Sequence, residues 1–330
     1  MATITKRGEK WRAQVRIKGI SKSATFRTHT DAKSWAARME AAILDGVENV
    51  SAKYLTFGDI AERYLNEVTP KKRGAKHETY RIKLLLRNSK LADVLLENLR
   101  PSHFADWRDK RLTEVKPDSV LREISSLSAI CDHAMKEWGL LKENPLLKIS
   151  KPKQAKPRTR RPTEAEIQSI CENLGYVEDI PVTTVSERAA LAFLFAIETA
   201  MRAGEICALT WDDIDESRRL AHIKISKNGH SRDVPLSRRA IEIISKLKNN
   251  HPVEVFNIQA ASLDSLFRRA RDAAGIKDLH FHDSRREALT RMAKKVDVML
   301  LAKISGHRDI RILQNTYYAP DMAGVADLLD

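Results

Sequence analysis

Residues 11–18 alternate in character: Trp11, Ala13, Val15 and Ile17 are apolar, while Arg12, Gln14, Arg16 and Lys18 are polar or cationic. A period of two places the first set on one face of a strand and the second on the other, as in a half-buried strand. A second short strand is expected over Ala24–Arg27. Thr30 is then placed to cap a helix whose stripe is Ala32, Trp35, Ala36, Met39 and Ile43, closing near Gly46. Residues 1–50 therefore read as a small ββ(β)α module whose outer sheet face is basic. From residue 55 the period changes to that of a helix. Phe57, Ile60, Ala61 and Tyr64 make one stripe, and Val120, Ile124, Leu127, Cys131 and Ala134 make a longer one. Between them lie a basic loop, Pro70–Lys76, and Pro101, a residue suited to the first turn of a further helix. Stripes at this spacing are core, so residues 55–148 read as a helical bundle.

The pattern breaks at residues 149–162. Lys151, Lys153, Lys156, Arg158, Arg160 and Arg161 fall there with three prolines and no acid. Prolines stiffen such a stretch and like charges extend it, which predicts an interdomain linker. Residues 163–330 then open with a helix over Thr163–Asn173, an apolar helix over Glu187–Thr199 and a short helix after Gly204. A hairpin follows, with Ala221, Ile223 and Ile225 alternating against His222 and Lys224 before the Asn228-Gly229 turn pair. Helices return from Leu263 onward. The expected fold class is mainly α with small β elements, the last domain being mixed α+β.

Composition narrows the partner. Among 330 residues, 58 Lys and Arg outnumber 44 Asp and Glu, a net charge of +14. Such a surplus favours a polyanion, because each cation set against a phosphate releases condensed counterions. The longest apolar run, Ala189–Ile197, is far below the roughly 20 residues needed to span a bilayer. Cys131, Cys171 and Cys207 show no paired metal-ligand spacing, so reduced thiols and a cytoplasmic location are expected. Nucleic acid is preferred over membrane.

Five segments in the C-terminal half carry chemistry. Arg202 ends the apolar helix in Met201-Arg202-Ala203-Gly204-Glu205. Its planar guanidinium matches two phosphate oxygens, and Gly204 beside it allows a tight backbone or a close approach. Lys227 sits at the hairpin tip, free to reach a leaving group, whereas Lys224 lies on the strand. His282 and Arg285 are three apart, a spacing that puts them on one helical face. His307 follows Ser305-Gly306, and Tyr317 and Tyr318 come after it.

In this order these segments resemble the tyrosine recombinase (phage integrase) family of lambda-integrase-like site-specific recombinases, throughout the C-terminal half. The resemblance implies that Arg202 and Arg285 are catalytic arginines, with Glu205 an acidic partner that orients the site. It implies that Lys227 is the general acid and that His282 and His307 are the catalytic histidines. Arg286 stands where the family commonly has histidine, and Ser305 where it commonly has leucine. The family tyrosine comes nine residues after this histidine, a place held here by Thr316; Tyr317 fits the Tyr-Tyr-x-Pro ending, and Tyr318 remains the alternative nucleophile. Implied too are an arm-type DNA-binding module over 1–50, a core-binding domain over 55–148, a DNA-crossing linker and a catalytic domain over 163–330. The expected activity is DNA cleavage and rejoining through a 3′-phosphotyrosine bond, with no cofactor, metal or ATP. The partner would be double-stranded DNA, gripped by a homo-tetramer on paired sites, with a monomer in its absence and an accessory bending protein. A mobile element or viral genome would be integrated. A type IB topoisomerase, or a DNA-binding protein on a decayed recombinase scaffold, stays open as an alternative.

Overall fold

A computed structural model describes residues 2–17, 20–26, 28–44, 55–88, 90–155, 158–224 and 231–318. The chain forms two compact units, residues 1–157 and 158–330, so the division falls inside the basic stretch that the sequence marks as a linker.

The first unit begins with strands β1 (Ala2–Arg7), β2 (Lys10–Ile17) and β3 (Ile20–Phe26), followed by helix α1 (His29–Leu44). The strands form one antiparallel sheet with β2 central, Ala13 standing opposite both Ile4 and Ala24. The alternation places Ala13 and Val15 against Ala32, Trp35, Ala36 and Met39 of α1 in a small closed core. Helix α1 starts two residues earlier than expected. Thr28, not Thr30, receives the backbone N–H of Asp31, and its hydroxyl donates to the Asp31 carboxylate, so the N-terminal bonds close on the earlier threonine. The expected close at Gly46, and residues Lys18 and Arg27, lie outside the described residues.

Helices α2 (Phe57–Glu67), α3 (Ala75–Asn88), α4 (Pro101–Leu112) and α5 (Pro117–Lys136) follow, joined by short 3₁₀ turns. Both stripes are buried as their period requires, Phe57 meeting Phe104 edge-on at 5.5 Å between ring centroids. Pro101 and Pro117 occupy first turns, where a missing N–H costs nothing.

The second unit holds α6 (Glu164–Asn173), α7 (Val185–Thr199), α8 (Ala203–Cys207), strands β4 (Ile214–Asp215), β5 (Leu220–Ile223) and β6 (Arg232–Pro235), then α9 (Arg238–Ser245), α10 (Ala260–Ala273), α11 (Asp283–Ala293), α12 (Val298–Ser305) and α13 (Ile310–Tyr317). Thr163 and Thr184 each cap a helix, and a glutamate three residues on returns the bond. Helix α7 is apolar nearly all round and is buried at the centre of the unit, packed against α11 and α9. The hairpin strands pair antiparallel with Ile223 opposite Arg232, and β4 adds a short third strand that the sequence pattern does not reveal. The Asn228-Gly229 turn lies outside the described residues. The fold is mainly helical with two small sheets, as the sequence implies.

Candidate active site

The site is assembled from the ends of elements. Helix α7 stops at Ala200, whose left-handed backbone (φ 56°) turns the chain sharply. Met201 then points into the core, and Arg202 caps the short helix α8. The Glu205 carboxylate folds back onto this turn. Its Oε2 accepts the Arg202 backbone N–H at 2.9 Å, and its Oε1 accepts the Arg202 Nη1 at 2.9 Å. A second guanidinium, Arg232 at the start of β6, reaches the same carboxylate through both arms. Glu205 is thereby held well below the usual carboxylate range, at about 2: burial opposes ionisation, and the Arg232 bonds and the Arg202 backbone bond outweigh it.

Arg285, on the first turn of α11, faces inward. Its Nη1 donates to the Ala200 carbonyl, and its Nη2 donates to the Ser305 carbonyl at 2.6 Å. It thus ties together the end of α7 and the end of α12. Burial, and then the nearby Arg202, press its pKa down to about 9. Three guanidiniums, Arg202, Arg232 and Arg285, therefore stand around one carboxylate; Arg202 and Arg232 share it, Arg285 has only carbonyl partners, and the four groups carry a net charge of +2. Buried charge that is not matched from within is a place for an anion.

His307 follows α12 through Gly306, whose φ of 71° suits glycine. A Cβ there would also come within 3.3 Å of the Arg232 side chain. At Gly204, by contrast, a Cβ would meet open space and the backbone is ordinary. The glycine that the protein's own geometry requires is Gly306, and the tight backbone expected at Gly204 is corrected. The imidazole Nδ1 of His307 lies 2.7 Å from the Ser305 hydroxyl. Burial, reinforced by Arg285, Arg202 and Arg232, pushes its pKa down to about 4.

His282 caps α11 at the surface, one turn from Arg285, so the pair shares an end of a helix but differs in burial. Tyr317 ends α13, packed with Tyr318 against the cluster of Leu289, Leu301 and Leu313. The two hydroxyls differ. Tyr318 donates to the Val296 carbonyl, whereas Tyr317 makes no hydrogen bond to the protein among the described residues. Burial raises the Tyr317 pKa, while Arg286 and Arg285 pull it down. The Arg286 guanidinium lies 5.6 Å from the centre of the Tyr317 ring, a cation–π contact made by the residue that stands where the family commonly has histidine. Residues Ala319 and Pro320 lie outside the described residues.

Lys227 also lies outside them. Just past the end of β5, Lys224 is paired with Asp213 at 2.7 Å. A depression of about 520 Å³ lined by Arg202, Glu205, Asp213, His222 and Lys224 opens beside the arginines.

The linker cations divide into two groups. Lys151 and Lys153 are exposed, and Lys156 lies outside the described residues. Arg158 is bound to Asp278 at 2.7 Å and to the buried Asp283 at 2.9 Å, Arg160 to Glu166, and Arg161 lies 3.6 Å from Glu287. These three arginines already have carboxylate partners in the second unit. Arg232 and Ser305 are the site residues that sequence reasoning missed. For Arg232 the available signal was a cation opposite buried Ile223 in the hairpin register; for Ser305 it was a polar residue in a leucine position.

The phage integrase family matches residues 160–323 of this chain. The chain is 50% identical, over 98% of its length and 88% of the other, to a putative integrase/recombinase of Haemophilus influenzae. The chain belongs to the phage integrase family. This tyrosine-type recombinase is also 35% identical to the shufflon-specific DNA recombinase of Escherichia coli, over 77% of this chain and 66% of that one. In structure it is similar to lambda integrase, solved as a tetramer bound to a Holliday junction, with a TM-score of 0.66, 20% identity, and coverage of 93% of this chain and 95% of that one. Among the described residues of this recombinase no helix is long and apolar enough to cross a membrane, and no cluster of His, Cys, Asp and Glu could hold a metal ion.

Proposed function

We propose that this recombinase cleaves and rejoins double-stranded DNA through a 3′-phosphotyrosine bond at Tyr317. The observation that carries the reading is the charge imbalance at Arg202, Arg232, Arg285 and Glu205. The net charge of +2 matches the two negative charges that a scissile phosphodiester reaches, from one, as it becomes pentacoordinate. A fixed cluster of donors is worth most where charge develops, because it need not reorganise during the reaction. In this reading Arg202 and Arg285 hold the nonbridging oxygens, and Glu205 keeps Arg202 in place. His307 acts on the same phosphate, and His282 assists proton transfer at the tyrosine or its phosphate. Lys227 protonates the departing 5′-oxygen. The free Tyr317 hydroxyl, set against the occupied one of Tyr318, supports Tyr317 as nucleophile. The bond energy stays in the phosphotyrosine, so a 5′-hydroxyl of a partner strand can reverse the step without ATP.

Residues 1–50 would bind arm-type sites through the basic face of the first sheet, and residues 55–148 would bind the core site. Lys151, Lys153 and Lys156 would pass over phosphates. A tetramer on two DNA sites would be the working unit, as the lambda integrase assembly suggests, with integration of a mobile or viral element as the outcome. The test is a nicked suicide substrate that traps the covalent adduct. Adduct should form in excess EDTA, and its complete loss there, restored by magnesium, would overturn the proposed chemistry.

A further inference from the structure

Ser305 ends α12 fully buried, and its hydroxyl oxygen has two close polar neighbours. The Leu301 carbonyl oxygen lies 2.6 Å away and the His307 Nδ1 lies 2.7 Å away. Both are hydrogen-bond lengths, so each contact needs a proton between its heavy atoms. Serine has one proton to give. A carbonyl has none, so the proton facing Leu301 belongs to Ser305. The proton facing His307 must then be the histidine's own. Turning the serine proton toward His307 instead would bring two bare oxygens together at 2.6 Å.

We propose that Ser305 fixes His307 in the Nδ1–H tautomer, so that Nε2 carries a lone pair and accepts a proton during strand cleavage. Which ring nitrogen is protonated in a histidine follows from the bond that the other makes. Among the described residues, the charged and titratable groups acting on the imidazole are Arg285 and His282 at the start of α11, Arg202 before α8, and Arg232 on β6. With burial they keep the ring neutral in the absence of an anion. A neutral ring whose one N–H is committed to Ser305 cannot donate to a phosphate oxygen through Nε2. It must take up a proton first.

The source of that proton rests on the reading of Tyr317 as nucleophile. Tyr317 Oη forms a bond to phosphorus, and its proton passes to His307 Nε2, which leaves His282 to assist at the phosphate. The bond from phosphorus to the 5′-oxygen breaks, and that oxygen takes a proton from the general acid. The bound phosphate supplies the negative charge that makes the imidazolium tolerable among the arginines. Once formed, the imidazolium is a donor to the phosphorane when its charge is greatest. Ser305 is therefore a positioning residue, acting through His307.

Two-bond ¹H–¹⁵N spectra of the full chain labelled at histidine, with the His307 signal assigned by its loss in His307→Gln, read the tautomer directly. The Nδ1–H pattern is expected at neutral pH, and an Nε2–H pattern would overturn the proposal. Ser305→Ala should move the signal toward Nε2–H and slow adduct formation on a suicide substrate about tenfold, the scale of one lost hydrogen bond to a catalytic group. Ser305→Thr, which restores the hydroxyl, should recover both. An Ala variant with an unchanged spectrum would equally sink the idea. Should that variant fail to fold, His307→Gln remains decisive, because glutamine places an N–H donor near Nε2 but accepts no proton. It should lose about 10²-fold or more in cleavage, as removal of a general base does; cleavage within a few-fold of the parent would show that donation suffices. Tyr317→Phe separates the two claims: adduct persisting there would remove Tyr317 as the proton source and leave the tautomer result standing.

Discussion

The Arg232 guanidinium grips Glu205 with both arms, Nη1 to Oε1 at 3.0 Å and Nη2 to Oε2 at 2.7 Å. Its remaining Nε donates to the Ile304 carbonyl at 2.9 Å. One side chain thus joins β6, α8 and α12, the elements that carry or precede Arg202 and His307. Both partners are buried, and removing Arg232 takes two bonds from Glu205 and the donor from the Ile304 carbonyl while Arg202 still holds the carboxylate. Arg232→Leu should therefore cost about 1–3 kcal/mol in denaturant unfolding, the scale of buried polar groups left unsatisfied. Glu205→Gln should cost more, because it removes the shared carboxylate charge and turns an NH2 toward N–H donors on Arg202 or Arg232. Because the folded pKa of Glu205 lies below the unfolded value, its contribution is complete above the ordinary carboxylate range and disappears as pH falls toward about 2. The stability difference between parent and Glu205→Gln should shrink across that window. A pH-independent difference would show that the carboxylate charge does not hold the site.

Arg232 also marks the limit of what was legible in the sequence. The stripes of α2, α5 and α7 were visible because burial imposes a period on neighbouring residues. The candidate catalytic segments were visible because two arginines, two histidines and tyrosines in order have no packing explanation. Arg232 makes its bonds 27 and 72 residues away, and nothing within its own strand announces either partner. The pairing of the linker arginines was hidden for a related reason. A run of cations without acids looks solvated, yet Arg158 finds Asp278 and Asp283 some 120 residues downstream. Thr28 and Thr30 are equally good caps by composition, and only the closed bond to Asp31 decides between them. Local periodicity was readable; long-range charge pairing was not.

The two tyrosines should separate cleanly. Tyr317→Phe keeps the ring packed against the α11–α13 cluster and removes the proposed nucleophilic oxygen, so adduct should vanish while DNA affinity changes little. Tyr318→Phe loses the bond to the Val296 carbonyl, a stability cost of about 1 kcal/mol, and should still form adduct. Gel-shift affinity, thermal unfolding and adduct mapping measure the three quantities. Adduct mapped to Tyr318 would reverse the assignment.

The paired and unpaired linker cations predict different salt behaviour. Lys151→Ala and Lys153→Ala should each lower the slope of log affinity against log salt by about 1, as expected for a lost phosphate contact. Arg158→Gln should leave the slope nearly unchanged, since its guanidinium is committed to Asp278 and Asp283, and should instead lower the unfolding midpoint. A slope change at Arg158 equal to that at Lys151 would mean that DNA displaces the internal pair.

Lys227 is tested by changing the leaving group instead of the protein. As the general acid it would protonate the 5′-oxygen, a poor leaving group as an alkoxide, so Lys227→Ala should slow cleavage by about 10²–10⁴-fold. A 5′-bridging sulfur departs without protonation, and a substrate carrying it should restore most of the rate to that variant. Lys224→Ala provides the comparison, because Lys224 is engaged with Asp213. Its defect, if any, should be the same on oxygen and sulfur substrates. Rescue of Lys224→Ala by sulfur, with an equal defect of Lys227→Ala on both substrates, would transfer the acid from the turn to the strand and require the Asp213 pair to open during cleavage.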